Sequence, residues 1–149
     1  MNSGEGPLMN DLRRRLMWHG MFLFLLGLLT GLISANLTNP RMGLAAHLEG
    51  VMNGTILIAV SAIWDHVRLA GRPQAMAFWS ALYGTYANWT TTTLAAVFGT
   101  GAMSPITAAG RHAAPWQEAL VSAGFLSVAI AIIAAVLLML WGLRAKAAT

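Results

Sequence analysis

The chain has 149 residues, of which 57% are hydrophobic and only 9% charged, with no cysteine and a formal net charge of +4. A soluble domain carries about a quarter charged residues, so this composition describes one integral membrane domain. The missing cysteines exclude disulfides, iron–sulfur clusters and thiolate zinc sites, and a positive excess held by a few residues beside apolar runs fits membrane topology better than nucleic acid.

Residues 1–15 are expected to be a polar, frayed cytoplasmic segment ending in Arg13-Arg14-Arg15, with no cleavage site of a removable signal peptide. The apolar run from Leu16 to about Leu37 is long enough to cross a hydrocarbon core of roughly 30 Å. Gly20, Gly27 and Gly31 offer close-packing points along it, and His19 reads as an interfacial residue among headgroups. Thr38-Asn39-Pro40-Arg41 predicts a turn, with Asn39 as N-cap and Pro40 at the first helical position. A second run then reaches about Trp64, and Asp65 to Gln74 forms a polar loop.

The third run, Ala75 to Gly99, is unusually polar, with Ser80, Tyr83, Thr85, Tyr86, Asn88, Trp89 and four threonines at 90–93. Threonine can return its hydroxyl to the carbonyl a turn earlier, so that block is weak evidence. Asn88 between Tyr86 and Trp89 points more firmly to a polar pocket wall. Thr100 to Pro115 is a loop. The last run, Trp116 to Leu143, is aliphatic after Glu118 and reads as a lipid-facing or scaffold helix, followed by a cytoplasmic tail at 145–149. Seven basic residues (Arg13, Arg14, Arg15, Arg68, Arg72, Arg144, Lys146) lie on one side of these runs against Arg41 and Arg111 on the other. The expected architecture is all-α, a four-helix transmembrane bundle over residues 16–144 with both termini cytoplasmic, in the cell membrane. Trp18, Trp64, Trp116 and Trp141 fall near span ends as an aromatic belt, while Trp79 and Trp89 lie deeper.

Within the second run, Ala45-Ala46-His47-Leu48-Glu49-Gly50-Val51-Met52-Asn53-Gly54 carries an imidazole, a carboxylate and an amide within seven positions. Such groups are costly at membrane depth and mark a functional site by default. On a helix His47, Gly50 and Gly54 share one face, an imidazole above a strip of bare backbone where a flat ligand could lie. Glu49 and Asn53 share another. There is no HExxH, no histidine pair at i, i+4 and no carboxylate cluster, which argues against hydrolytic zinc or di-iron. One deep histidine can serve as the single axial ligand of a haem. It can equally be hydrogen-bonded between helices, and residue type and depth leave the two readings level. Glu49 bridges helices or faces the site, and Gly50-x-x-x-Gly54 is a common packing pattern. Nothing pairs a serine or threonine with a base, and no repeat or broken helix suggests a transporter.

Ala46-His47 followed by Asn53-Gly54 and Thr55-Ile56-Leu57-Ile58-Ala59-Val60 resembles the second helix of styrene oxide isomerases, and His19-Gly20 and Ala87-Asn88 fit the same pattern. The chain is more closely similar to the related hydroxylaminobenzene mutases. That likeness runs through residues 39–44, 46–54, Leu82-Tyr83-Gly84-Thr85-Tyr86-Ala87-Asn88-Trp89 and Trp116-Gln117-Glu118-Ala119-Leu120, and it covers nearly all of Leu16 to Arg144. The resemblance implies a homotrimeric membrane isomerase with ferric haem b between subunits acting as a Lewis acid. By the same resemblance His47 is the axial ligand, flanked by Gly50 and Gly54, and Asn53 is a substrate-side group. The isomerases also use a tyrosine and a carboxylate of the third helix. Here no acid lies between His66 and Gln117, and Tyr83 and Tyr86 do not match in position, which favours the mutase, with Glu49 as replacement acid.

The implied reaction converts an aryl hydroxylamine arriving from the membrane lipid, hydroxylaminobenzene, to 2-aminophenol. Glu49 would shuttle the proton, Asn53 or Asn88 would orient the N–H, and Tyr83, Tyr86 and Trp89 would pack against the ring. Two alternatives stand beside it: an epoxide-to-aldehyde isomerase, and a non-enzymatic haem-binding membrane subunit.

Overall fold

The computed structural model describes residues 7–144, so the first six residues and the tail with Lys146 lie outside the described part. Five helices follow in order: α1 (Pro7–Ile33), α2 (Pro40–Ile63), α3 (Gly71–Phe98), a one-turn α4 (Pro105–Ala108) and α5 (Pro115–Arg144). Short 3-10 turns, Ser34–Asn36 and Trp64–His66, close α1 and α2. No strand occurs among the described residues.

The N-terminus of α2 forms as its sequence predicts. Asn39 accepts the Met42 N–H on its side-chain oxygen at 3.2 Å, and Pro40 stands at the first helical position. Asn39 is fully buried. Its amide donates to the Thr107 carbonyl at 3.1 Å and its backbone N–H to Ala96 at 2.9 Å, so one residue caps α2 and ties it to α4 and α3. At the far end of α3, Gly99 takes a left-handed conformation (φ 72°) and returns its N–H to Ala95, a backbone geometry that a Cβ disfavours.

Two boundaries differ from expectation. Residues 7–15 are helical rather than frayed, because side chains anchor those turns. Arg13 donates to Asp65 at 2.5 Å, and the Arg15 guanidinium lies 5.1 Å from the Phe78 ring centre and 5.5 Å from that of Trp79. Likewise α3 begins at Gly71, so the polar loop shrinks to an extended link whose Arg68 N–H donates to Gly142 at 3.1 Å. The helix α4 was not expected, although Ser104-Pro105 carries a helix-start pattern.

Three stretches, Asp11–Asn36, Pro40–His66 and Pro115–Arg144, are long and apolar enough to cross a membrane. At 28 residues α3 is about 42 Å long, and what sets it apart is its polar side chains. The packing explains them. The helices form a row in which α1 lies along α2, α2 against α3 and α3 against α5, with a lighter contact between α1 and α3. Thus α3 alone touches all three other long helices.

The α1–α2 contact is backbone on backbone. A Cβ on Gly27 would stand 2.5 Å from the Val51 nitrogen, and one on Gly54 2.6 Å from the Gly20 oxygen. Leu16, Leu23, Leu57, Phe78 and Leu82 fill the core. Trp64 joins them at 2% exposure, edge-on to Phe78, so it is a core residue and not part of an aromatic belt. Trp116 and Trp141 are exposed near the two ends of α5, and Trp18 is exposed within α1. Apolar side chains such as Leu126, Ile130, Ile133 and Leu137 cover the outer face of α5.

Candidate functional site

One turn apart on α2, Glu49 and Asn53 project toward α3, where Asn88 meets them. The Asn88 amide donates to Glu49 Oε2. The Asn53 amide approaches the same oxygen at 3.5 Å and the Thr85 carbonyl at 3.4 Å. Thr85 returns its own hydroxyl to Ala81 at 2.8 Å, while its carbonyl accepts from Asn53 beside its place in the helix. Asn53 is buried and Glu49 half-buried, and no cation is bonded to Glu49 among the described residues. Two amide donors therefore hold a carboxyl group at membrane depth. Both converge on Oε2, and Oε1 takes no hydrogen bond among the described residues.

The cluster sits where two hollows meet. On one side is a cavity of about 340 Å³ between Ala45, Leu48, Met52 and the cluster. On the other, an apolar groove of about 480 Å³ runs along Ile56, Leu57 and Val60 of α2 to Val128 and Ile132 of α5, with Thr85 in its floor. This groove exists because α5 packs on α3 and leaves α2 uncovered. An aromatic ring suits its walls, and Asn53 and Asn88, common to both hollows, suit a polar substituent.

His47 lies elsewhere. Two residues from Glu49 on a helix is a turn of about 200°, and the imidazole faces α1. Its Nδ1 stands 2.8 Å from the Gly27 carbonyl and its ring covers Gly31, where a Cβ would come within 2.7 Å of Nδ1. A carbonyl only accepts, so Nδ1 carries the proton and the Nε2 lone pair is available. The strip expected beneath this imidazole is not bare. Gly50 packs on Gly27 and Gly54 on Gly20 and Phe24, so both glycines seat α1 rather than a flat ligand.

The polar residues of α3 also separate by face. Tyr86, expected beside Asn88, points to α1, its hydroxyl 3.1 Å from His19 Nδ1 and 3.2 Å from the His19 carbonyl. His19 therefore has a hydrogen-bond partner within the protein. Trp89 donates from Nε1 to Thr30 at 3.1 Å and packs against Gly50. Tyr83, half-exposed, shares a 2.8 Å hydrogen bond with Ser127 of α5. Tyr83, Tyr86 and Trp89 thus do not line either hollow beside Asn53 and Asn88. The sequence does not single out Thr30 and Ser127, and it offers His19 and Thr85 without these partners; all four are ordinary polar positions until a helix is placed opposite them.

Residues 12–144 match the styrene oxide isomerase family. Over 138 residues the chain is 44% identical to hydroxylaminobenzene mutase HabB of Ectopseudomonas oleovorans, covering 92% of this chain and 84% of that protein. Over 125 residues it is 42% identical to hydroxylaminobenzene mutase HabA of the same organism, covering 83% and 93%. No solved structure matches the chain.

Proposed function

Since this chain belongs to the styrene oxide isomerase family, and so is an isomerase, we propose that it is a membrane-embedded mutase that converts hydroxylaminobenzene to 2-aminophenol. The observation that carries this reading is the Glu49–Asn53–Asn88 cluster, whose two asparagines border an apolar groove while Glu49 borders the hollow beside it. The similarity to two mutases supports the substrate class.

In the rearrangement the N–O bond breaks, a C–O bond forms at the ortho carbon, the ring proton leaves and the nitrogen gains one. The product is an isomer, so no reductant or nucleotide is consumed. The groove takes the phenyl ring, and Asn53 and Asn88 orient the N–H and O–H at its polar end. Glu49, held through Oε2, takes the ring proton on Oε1 and returns it to the nitrogen.

His47 is the residue that would hold haem b. A metal-ligating histidine commonly donates its other ring N–H to a carbonyl, as His47 does to Gly27, and presents the remaining nitrogen. When bound there, ferric haem supplies Lewis acidity toward the hydroxylamine oxygen. Because His47 and Glu49 occupy opposite faces of α2, a single chain does not bring both to one substrate. The proposed homotrimer would have to supply the second group from a neighbouring subunit. The four-span reading has similar support. A helix of α3's length packed along both α2 and α5 crosses with them, and four crossings return both termini to the cytoplasmic side of the cell membrane.

One preparation tests the proposal. Purified protein and a His47→Ala variant are compared by absorption spectrum, then assayed on hydroxylaminobenzene and styrene oxide. A Soret band lost or shifted in the variant, with 2-aminophenol the faster product, is expected. Faster conversion of styrene oxide to phenylacetaldehyde would favour the epoxide reading that the family match also supports. Absence of haem in protein made with ample haem would remove the Lewis-acid step.

A further inference from the structure

The cluster leaves a second hollow unexplained. Between α1 and α3 a groove of about 610 Å³ is walled by Trp18, Phe22, Trp79, Tyr83 and Tyr86. Trp18 and Phe22 stack at 5.2 Å with 18° between their planes, and both stay substantially exposed, as does Trp79. The inner wall carries the His19–Tyr86 pair, whose polar atoms are bonded to each other and to the His19 carbonyl. The body of the groove therefore asks little polar complementarity of an occupant.

Its open end is different. There the groove joins a smaller niche of about 240 Å³ lined by Asp11, Arg14, Arg15, Trp18 and His19. Arg15 borders both hollows, its guanidinium laid over the Phe78 and Trp79 rings. A stacked guanidinium keeps its in-plane N–H donors available. Among the described residues the one ion pair in this region uses Arg13, with Asp65, and leaves Arg15 without a carboxylate partner. Two guanidinium groups against the single carboxylate of Asp11 give the niche a net positive charge.

We infer that this groove and niche together bind one anionic phospholipid, its phosphate at Arg14 and Arg15 and an acyl chain along Trp18, Phe22 and Trp79. A cationic end at the start of a membrane-crossing helix, continuous with an apolar trough down the same helix, matches that amphiphile in both charge and shape. A zwitterionic lipid fits the trough and not the charge. A second copy of the chain would cover the trough and exclude lipid.

Lipid-dependent quenching of tryptophan fluorescence tests the site. The protein is reconstituted in nanodiscs containing phosphatidylcholine, with either brominated phosphatidylglycerol or brominated phosphatidylcholine as the quencher, and Trp18→Phe and Trp79→Phe variants assign the signal. Phosphatidylglycerol is expected to quench these two tryptophans preferentially, by about fivefold in apparent affinity per arginine engaged. Arg14→Gln/Arg15→Gln should lose the preference and Arg15→Lys should keep part of it, with thermal melting as the folding control. Equal quenching by both lipids, or a preference that survives in the double variant, would overturn the proposal. So would protection of Trp18 and Trp79 from both quenchers, the result a second copy on the groove would give.

Discussion

Replacing Glu49 by glutamine keeps the shape of the side chain and one oxygen to accept from Asn88 and Asn53, and removes the capacity to carry a proton. The two effects can therefore be read apart. If Glu49 takes the ring proton, the loss is that of a positioned general base, about 10²- to 10⁴-fold in kcat. That corresponds to roughly 3–5 kcal/mol in the barrier. Substrate binding should change little, because Asn53, Asn88 and the groove of about 480 Å³ stay in place. Asn88→Ala is the complementary perturbation. It strips one of two donors from a half-buried carboxyl, expected to cost about 1–3 kcal/mol of stability, while leaving Glu49 able to carry the proton. The assay is initial-rate formation of 2-aminophenol by purified protein across substrate concentration, with melting temperature in parallel. A Glu49→Gln enzyme that melts like the parent and keeps kcat within about tenfold, short of the hundredfold expected of a lost general base, would show that Glu49 only bridges α2 to α3.

Three other perturbations probe the frame around the site. Asn39→Ala removes the α2 N-cap and leaves the Thr107 carbonyl without its donor, and should destabilise by about 1–2 kcal/mol from the cap alone; an unchanged melting temperature would contradict this. Gly27→Leu puts a Cβ 2.5 Å from the Val51 nitrogen and should part α1 from α2, costing about 1–3 kcal/mol or more, seen as a lower melting temperature and displacement of His47 from its Gly27 carbonyl. Glu118→Ala removes the carboxylate that gathers the Gly101, Ala102 and Ala113 N–H groups at the start of α5; tryptic cleavage after Arg111 should become faster, and an unaltered rate would show that the loop holds without it.

Much of the frame was legible in the chain. Hydropathy marks four long helices, of which three are long and apolar enough to cross a membrane, Asn39-Pro40 marks the start of α2, and the glycines of the first run do lie at close helix contacts. The chemistry was legible as residue types, since a carboxylate and two amides deep in apolar runs are costly unless they meet. Helical spacing correctly separated the His47 face from the Glu49–Asn53 face. It misjudged what covers them: the glycine strip beneath His47 reads the same in sequence whether a ligand or another helix fills it. The arginines before Leu16 read as a frayed end, because their partners, Asp65, Phe78 and Trp79, are more than 50 positions away.

Tyr83, Tyr86, Asn88 and Trp89 show the division most clearly. Their type and depth follow from local hydropathy, and their angular separation from the helical repeat. Their partners are Ser127 on α5, His19 and Thr30 on α1, and Glu49 on α2. Nothing local distinguishes these faces, because each polar atom needs only some partner out of water. Which partner it finds depends on the row order of the helices, and that order is set by where glycine lets α1 reach α2 and where α5 settles on α3.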